Sequence, residues 1–268
     1  MPELPDVEIF RRTLERYGLG RRIAEVAVGD ARILEGVDPA GFASALQGDL
    51  LLETRRHGKN LFARRAKGGH LLMHFGMTGD LQPFESTPPA YARVVYRFDS
   101  PPHLAYVNVR MLGHIALVAD VESYLRERQI GPDALDPALT PEWFAQALGR
   151  GRRSIKAALM DQSLIAGLGN IYADEVLFQA GLRPDVPVSA LDRPLREKLF
   201  RTIREVLATA VRCGAAAERY VEKLPPDYLT PHRGRGGACP KCGVPLATVS
   251  IAGRRSYFCP SCQRDPRG

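Results

Sequence analysis

The stretch Cys239-Pro-Lys-Cys-Gly-Val-Pro-Leu-Ala-Thr-Val-Ser-Ile-Ala-Gly-Arg-Arg-Ser-Tyr-Phe-Cys-Pro-Ser-Cys262 contains four of the five cysteines of the chain. They form two Cys-x2-Cys pairs, Cys239 with Cys242 and Cys259 with Cys262, separated by 16 residues. This spacing is typical of two knuckles that share one tetrahedral zinc ion. Disulfides are the alternative, and the absence of a secretion signal argues against them. Because no His or carboxylate lies between the pairs, we expect the zinc to be structural.

The segment between the cysteine pairs, residues 246–258, combines two short β-type stretches with Gly253 and Arg254 between them. It predicts a β-hairpin whose ends are clamped by zinc and whose turn presents arginine. An arginine can hold a phosphate with two parallel hydrogen bonds. A hairpin of this size has no hydrophobic core, so zinc binding would supply its folding free energy, on the order of 10 kcal/mol.

Positive charge is concentrated in the same region. The chain has a formal net charge of +7, and residues 231–268 contain seven Arg or Lys residues against one acid. Six of the seven net charges therefore lie here. Such a concentration favours a polyanionic partner, with nucleic acid first and an anionic membrane face second. The alternative is a solvated tail that keeps the protein in solution.

The chain begins Met1-Pro2-Glu3-Leu4-Pro5-Asp6. Removal of Met1 would leave the secondary amine of Pro2 as the terminus, beside the carboxylate of Glu3. An α-amino group titrates at about 8 and a lysine at about 10.4, so the nucleophilic form is far more common at the terminus. Attack of this amine on a sugar carbon gives an iminium ion, which makes the neighbouring C–H acidic and permits elimination. Alternatively, Pro2 only allows Met1 to be trimmed, and Pro5 starts a helix.

Between the two ends, the sequence predicts a region of strands followed by a region of helices. A short first helix has apolar positions at Val7, Phe10 and Leu14. Candidate strands lie at 23–28, 50–54, 61–65, 70–75, 93–98 and 103–109, a rhythm that suggests a β-sandwich. Helices are predicted at 141–148, 154–159, 171–180 and 195–213, after a boundary rich in Pro, Asp and Gly.

Length and hydropathy bound the class of protein. The chain has 268 residues, 45% of them hydrophobic, which suffices for one large core or two ordinary ones. No apolar run approaches the length needed to span a bilayer, and the N-terminus lacks the pattern of a secretion signal. We therefore expect no membrane partner and a cytoplasmic, nucleoid-associated location.

The segment Gly167-Leu-Gly-Asn170 places two glycines and an asparagine before a predicted helix. Backbone N–H groups and the helix dipole at such a turn can bind an anion. An ordinary helix cap is the competing interpretation. The segment does not follow a strand and lacks the third glycine of a dinucleotide-binding fingerprint.

Five motifs occur in order along nearly the whole chain. They are the Pro2-Glu-Leu-Pro start, Arg-His-Gly-Lys59-Asn, His-Phe-Gly-Met77-Thr-Gly, Gly-Leu-Gly-Asn170-Ile-Tyr, and the four-cysteine hairpin with Arg254. Together they resemble the formamidopyrimidine-DNA glycosylase and endonuclease VIII family, and the start favours the first branch. The resemblance implies an α+β multidomain fold. Its expected domains are a catalytic N-terminal β-sandwich with a leading helix (1–130), a helix-two-turn-helix DNA-binding domain (131–230) and a zinc-finger β-hairpin (231–268).

The resemblance also implies a role for particular residues. Pro2 would be the nucleophile at C1′ of the damaged nucleotide, and Glu3 the acid and base that opens the sugar ring and transfers protons. Chemistry on a base inside a duplex requires its extrusion, so other side chains must fill the gap. Three residues would bind phosphates: Asn170, Arg254 and Lys59, the last of which also counts among the catalytic residues. Met77, Arg110 and Leu112 would fill the gap in the DNA stack. Lys156 would contact the DNA beside the lesion.

The implied activity is base-excision repair of damaged double-stranded DNA by a monomer with one structural zinc and no redox cofactor. The enzyme would excise formamidopyrimidine or 8-oxoguanine and cleave the abasic site by β,δ-elimination. Asp6 stands where the family more often has Glu, and Leu112 where the formamidopyrimidine branch usually has Phe. The stretch 214–239 is short for a loop that covers an oxidised purine. Two alternatives therefore stay open: endonuclease VIII-like specificity for oxidised pyrimidines, and a non-catalytic zinc protein that binds damaged DNA.

Overall fold

The computed structural model describes residues 2–217 and 219–267. The chain divides into a first unit, Met1–Pro2 with Asp6–Gln129, and a second unit, Glu3–Pro5 with Ile130–Gly268. The helices are α1 (Leu4–Gly18), α2 (Pro39–Leu46), α3 (Val121–Glu127), α4 (Pro141–Ala147), α5 (Ile155–Leu159), α6 (Asn170–Ala180) and α7 (Arg193–Cys213). The strands are β1 (Ile23–Val28), β2 (Leu34–Glu35), β3 (Leu51–His57), β4 (Asn60–Arg65), β5 (His70–His74), β6 (Gly79–Phe84), β7 (Ala92–Phe98), β8 (His103–Asn108), β9 (His114–Val118), β10 (Ala247–Ile251) and β11 (Arg254–Phe258).

The first unit is a β-sandwich, as the sequence predicts. One sheet has four strands in the order β1-β7-β8-β6, and the other has five in the order β2-β9-β5-β4-β3. Inward side chains of both sheets form one core, because successive residues of a strand point to opposite faces. The apolar stripe of α1 at Val7, Phe10 and Leu14 packs into the same core.

Several elements of this unit lie outside the sequence prediction. Strand β6 contains Gly79 and Pro83, residues that usually interrupt strands. It lies at the edge of its sheet. A proline there is tolerated because an edge strand can leave N–H positions unpaired. Helix α2 contains Gly41, and its start is fixed by the side chain of Asp38, which accepts a hydrogen bond from the Gly41 N–H at 2.8 Å. These elements depend on local context that apolar periodicity does not report.

Side-chain caps define the helices of the second unit. Thr140 caps α4, Ser154 caps α5 and Asp192 caps α7, each accepting a hydrogen bond from a backbone N–H of the first turn. Helix α7 ends at Gly214, which has a φ of 65°, the left-handed conformation that glycine adopts most readily. The apolar faces of these helices share one core. Among the described residues, none of the helices is both long and apolar enough to cross a bilayer.

The C-terminal hairpin forms where the sequence predicts it. Strands β10 and β11 pair antiparallel, and Ala252 and Gly253 connect them with φ values of 48° and 72°. Two central residues with positive φ match the right-handed twist of the paired strands. Arg254 therefore begins β11 directly after the turn, with its side chain exposed.

The sandwich core contains two buried tyrosines, Tyr96 and Tyr106, whose hydroxyl groups differ in their hydrogen bonds. The Tyr96 hydroxyl is buried and has no hydrogen-bond partner among the described residues, and burial raises its pKa. The Tyr106 hydroxyl instead donates to the His74 carbonyl at 2.8 Å and accepts from the Asn108 amide at 3.1 Å.

We expect Tyr96→Phe to leave the free energy of unfolding unchanged or raise it by about 1 kcal/mol, and Tyr106→Phe to lower it by about 1–2 kcal/mol. Urea unfolding midpoints measure both, and equal losses would contradict this assignment.

Candidate active site and metal centre

The four cysteine Sγ atoms of the C-terminal hairpin all lie within 4.8 Å of one another. The Sγ atoms of Cys239 and Cys262 are 3.8 Å apart, and those of Cys242 and Cys259 are 3.5 Å apart. A disulfide would require about 2.05 Å. Four thiolates at the usual Zn–S distance of about 2.3 Å would lie roughly 3.8 Å apart at tetrahedral angles. The cluster therefore fits one zinc ion and excludes disulfides.

Gln263 attaches the metal cluster to the helical part of the second unit. Its side chain is buried, accepts a hydrogen bond from the Cys259 N–H at 2.8 Å and donates to the Leu182 carbonyl at 2.7 Å. Such contacts around the ligands orient them before metal binding. The hairpin is thus held by its own sulfur ligands and by one amide that reaches the turn after α6.

Strand β11 is attached to α6 through the carboxylate of Asp174, which is fully buried. The Ser256 hydroxyl donates to Asp174 Oδ1 at 2.5 Å, and the Tyr257 N–H donates to Oδ2 at 3.1 Å. Arg233 forms an ion pair with the same Oδ2 at 2.8 Å. Removing a carboxylate from water is costly unless its oxygens find partners, and here several charged and neutral donors supply them. Sequence reasoning misses Asp174; the signal for it is a pair of acids, Asp174 and Glu175, inside an otherwise apolar helix.

Lys156 belongs to this buried network. Its side chain has no exposed surface, and its Nζ lies 2.6 Å from Asp174 Oδ1 and 2.9 Å from Ser256 Oγ. Burial lowers the pKa of Lys156, while the charge of Asp174 opposes that shift. The sequence predicts a lysine that contacts DNA, and this contact stays a prediction. In the structure, the ammonium is enclosed by protein groups.

Another neighbour of Lys156 is Asn170, the first residue of α6. Lys156 Nζ donates to Asn170 Oδ1 at 2.7 Å, and Asn170 Nδ2 lies 3.2 Å from the Arg255 carbonyl. Because an ammonium can only donate, this contact fixes which side of the amide carries the oxygen. The half-buried Asn170 therefore presents its NH₂ group on the side of β11. Arg254 begins the same strand.

The turn before α6 binds an anion that belongs to the chain itself. The carboxylate of Glu3 accepts hydrogen bonds from the N–H groups of Gly169 at 2.6 Å, Ile171 at 2.8 Å and Tyr172 at 3.1 Å. The helix-cap interpretation of this turn is thus the one that holds, with the cap supplied from 166 positions away. Since Glu3 occupies these donors, they are not available to a phosphate. The contact also fixes the carboxyl group of Glu3 in one orientation.

The two glycines of the turn are required by this contact. A Cβ atom at Gly169 would lie 2.6 Å from Cδ of Glu3, and one at Gly167 would lie 2.6 Å from Cδ1 of Leu4. Gly167 also has a φ of 121°, which side chains rarely adopt. The Leu4 N–H donates to the Gly167 carbonyl at 3.0 Å. The motif therefore serves to receive residues 3 and 4 of the chain.

The remaining predicted site residues belong to the first unit. Pro2 is buried, and Lys59 is half-buried in the two-residue turn between β3 and β4. Met77, Arg110 and Leu112 are exposed and lie on two adjacent loops, one before β6 and one after β8. Within the two units, the structure thus brings together two groups of predicted residues: Lys156 with Asn170 and the Arg254 strand, and Met77 with Arg110 and Leu112.

Sequence reasoning also misses His74, the last residue of β5. Its ring stacks on His114 with centroids 5.0 Å apart. Burial, and then the nearby charges of His114 and Lys59, lower the pKa of His74 to about 4. The imidazole is therefore neutral at physiological pH and lies close to a predicted phosphate ligand. The sequence signal is its place as the first residue of the His-Phe-Gly-Met77 motif.

Comparison with known proteins assigns the whole chain to one family. Residues 1–115 match the N-terminal domain model of formamidopyrimidine-DNA glycosylase, and residues 130–221 match its H2TH domain model. Residues 236–264 match the zinc finger found in FPG and IleRS. A formamidopyrimidine-DNA glycosylase of Salinispora arenicola is 38% identical over 281 residues, which cover 100% of this chain and 98% of the relative. One of Symbiobacterium thermophilum is 38% identical, with 100% and 91% covered.

The chain belongs to the formamidopyrimidine-DNA glycosylase family. Solved structures of the family agree with this fold: a Lactococcus lactis variant bound to DNA containing Fapy-dG has a TM-score of 0.87 and 28% identity, with 98% of this chain and 100% of that chain covered. A structure of MutM with DNA containing carbocyclic 8-oxo-G has a TM-score of 0.88 and 28% identity, with the same coverage. The zinc-finger match and the sulfur geometry together assign one structural zinc to the four cysteines.

Loss of one zinc ligand should unfold the hairpin. We expect Cys259→Ser to lose zinc and to expose the amides of β10 and β11 to solvent, because metal binding supplies the folding free energy of so small a hairpin. Zinc content and amide hydrogen exchange measure the two effects. The matched control is Cys213→Ser, since Cys213 ends α7 outside the cluster. Full zinc content in Cys259→Ser would refute the four-cysteine site.

Replacement of Lys156 should reveal whether it acts directly on DNA. We expect Lys156→Met to lower the free energy of unfolding by about 3 kcal/mol, because it leaves part of the buried charge of Asp174 uncompensated. DNA affinity should fall as well, through the freed amide of Asn170. The control Arg153→Ala removes a cation from an exposed ion pair with Asp161 and should change stability by less than about 1 kcal/mol. Weaker DNA binding with unchanged stability would instead indicate direct contact by Lys156.

Proposed function

We propose that this protein excises an oxidised base, formamidopyrimidine or 8-oxoguanine, from double-stranded DNA and cleaves the resulting abasic site through a Schiff base on Pro2. The enzyme is a base-excision repair DNA glycosylase with abasic-site lyase activity, as its family membership implies. The observation that carries the mechanism is the carboxyl group of Glu3. It directly follows Pro2 in the chain and is held in one orientation by three backbone N–H groups.

In the proposed reaction, the amine of Pro2 attacks C1′ of the damaged nucleotide once Met1 has been removed. The bond from C1′ to the base breaks, and the base leaves with the bonding electrons. The proton that the attacking amine loses passes to the carboxylate of Glu3, which delivers it to the sugar ring oxygen, and the ring opens to an iminium ion. Loss of a C2′ proton expels the 3′ phosphate, a second elimination expels the 5′ phosphate, and hydrolysis of the imine frees the enzyme.

The nucleophile benefits from the low basicity of a chain terminus. An α-amino group is unprotonated at neutral pH far more often than a lysine, so it attacks carbon without a separate base to activate it. A secondary amine also gives an iminium ion that carries a permanent positive charge. This charge provides the electron sink for both eliminations.

The remaining predicted residues have proposed roles in holding the DNA. Lys59, Asn170 and Arg254 bind the phosphates that flank the extruded nucleotide, with charge-assisted hydrogen bonds from the two cations. Met77 and Leu112 fill the space that the nucleotide leaves in the stack. The zinc ion keeps β11 folded and supplies no reaction chemistry, because four thiolates occupy its tetrahedral positions. We propose that the protein acts as a monomer on cytoplasmic, nucleoid DNA.

Oxidised purines are the first candidate substrates. The related Lactococcus lactis enzyme was solved with DNA containing Fapy-dG, and MutM with DNA containing carbocyclic 8-oxo-G. A specific observation favours oxidised pyrimidines as a second class. Ala215, Ala217, Leu224 and Tyr228 pack into the helical core, so much of the segment before the zinc finger is used within its own unit. Little of it then remains to cover a large purine lesion.

Borohydride trapping tests the proposed nucleophile. The wild-type protein should become covalently linked to duplexes containing an abasic site, because borohydride reduces the iminium to a stable amine. We expect Pro2→Gly to trap at least roughly tenfold more slowly, since it replaces the secondary amine with a primary one. Pro5→Ala is the matched control, because Pro5 lies within α1 and alanine favours a helix. Denaturing gels measure the yield.

The same experiment separates the candidate functions. Duplexes with formamidopyrimidine, 8-oxoguanine or an oxidised pyrimidine should rank the substrates by trapping rate. Mass spectrometry of the intact protein confirms that Met1 has been removed before the assay. Equal trapping by Pro2→Gly and wild type would overturn the Pro2 assignment. Tight binding without trapping on any duplex would indicate a damaged-DNA-binding protein without catalysis.

A further inference from the structure

The side chain of Asn108, the last residue of β8, is fully buried between two loops of the first unit. Its Nδ2 lies 3.2 Å from the Phe75 carbonyl and 3.1 Å from the Tyr106 hydroxyl. Its Oδ1 accepts from the Thr78 hydroxyl at 3.4 Å. The amide thus uses both its donor and its acceptor, and its partners include residues at each end of the loop 75–78.

The main chain of Asn108 is held as firmly as its side chain. Its N–H donates to the Tyr91 carbonyl at 3.1 Å, and its carbonyl accepts from Arg93 Nε at 2.8 Å. The residue therefore has little freedom to shift along the strand. It is a fixed point from which the loop 109–113 departs.

The loops 75–78 and 109–113 also contact each other directly. The Thr78 hydroxyl accepts a hydrogen bond from the Arg110 N–H at 3.0 Å. A Cβ atom at Gly76 would lie 2.2 Å from the carbonyl carbon of Leu112, so only glycine permits this approach of the two backbones. Thr78 therefore bonds both to Asn108 and to the second loop. The two loops behave as one body with Asn108 at its base.

The two joined loops expose apolar side chains to solvent. Met77, Val109 and Leu112 are 39%, 48% and 50% exposed, which is unusual for large apolar residues. Between them, Met111 has a φ of 54° and packs against the sandwich core. A non-glycine residue in this conformation costs free energy and persists only where its surroundings impose it. The surroundings here keep Arg110 and Leu112 outside while Met111 is anchored inside.

We propose that Asn108 is a positioning residue that makes Met77 and Leu112 enter the DNA stack as one rigid wedge. This inference rests on the proposed function, because it assumes that these side chains replace an extruded nucleotide. Inserting apolar side chains into a stack requires that they keep their position against the returning base. The returning base could displace two independent loops one at a time, whereas loops joined at Asn108 would have to move together.

The amide is required rather than the shape of the side chain. A carboxylate at position 108 would accept hydrogen bonds but could not donate to the Phe75 carbonyl, and it would place two acceptor oxygens about 3 Å apart. In this chain, Asn108→Asp should therefore separate the loops, although the exchange hardly changes volume.

The test compares two reactions of the same protein. On a duplex with an intact oxidised base, we expect Asn108→Asp to lower the maximal single-turnover excision rate by roughly tenfold, because the wedge is misplaced. On a duplex with a preformed abasic site, where no base must be extruded, trapping should stay within about twofold of wild type. A 2-aminopurine opposite the lesion should show a smaller rise in fluorescence on binding.

A second pair of variants protects the test against a folding defect. Thr78→Val removes both hydroxyl contacts at nearly constant shape and should reproduce the slow excision. Thr78→Ser keeps the hydroxyl group and should excise at the wild-type rate. The control Gln82→Glu makes the same amide-to-acid exchange on β6, where the amide donates to Asp80 at 2.6 Å, away from both loops. It should leave the ratio of excision to trapping unchanged.

The outcomes separate the inference from the function on which it rests. Wild-type-like excision and fluorescence in Asn108→Asp would overturn the role of Asn108, as would an equal loss on both duplexes. Slow excision in Thr78→Ser to the same degree as in Thr78→Val would also overturn it. Failure of the wild-type protein to trap on either duplex would instead refute the proposed function.

Discussion

The carboxylate of Glu3 bound to the first N–H groups of α6 is the contact on which the rest of the site depends. The start of a helix has backbone donors without intrahelical partners, and a carboxylate satisfies several of them at once. Here the carboxylate comes from the third residue of the chain, which follows Pro2 in the sequence. A side chain at position 169 would disturb this cap.

The same helix organises the zinc hairpin. Asp174 lies one turn after Asn170 and binds Ser256 and Tyr257 of β11. Lys156 completes this buried network and also orients the amide of Asn170. A buried ion pair adds little stability by itself, but it fixes geometry because each charge has a high cost when left alone. The first turn of α6 and the strand β11 are thereby held in a fixed arrangement.

The sequence predicts much of the fold and less of the site. The apolar stripe of α1 and the strand β7 are local features, so pattern reasoning finds them. Strand β6 escapes it because Pro83 is acceptable only at a sheet edge, which the sequence does not reveal. In the site, the cysteines are recognisable from spacing, whereas the partners of Lys156 come from α6 and β11. Such distant partners leave no periodic signal.

From the sequence alone, the zinc ligands and the order of sandwich, helices and hairpin could be predicted. Spacing and periodicity encode these features, because they depend on neighbours within a few positions. The sequence does not reveal that the turn at Gly167 receives Glu3 rather than a phosphate, or that Lys156 is buried beside Asp174; the tertiary contacts show both. These outcomes depend on which distant groups meet. A buried polar group takes its role from the partners that the fold brings to it.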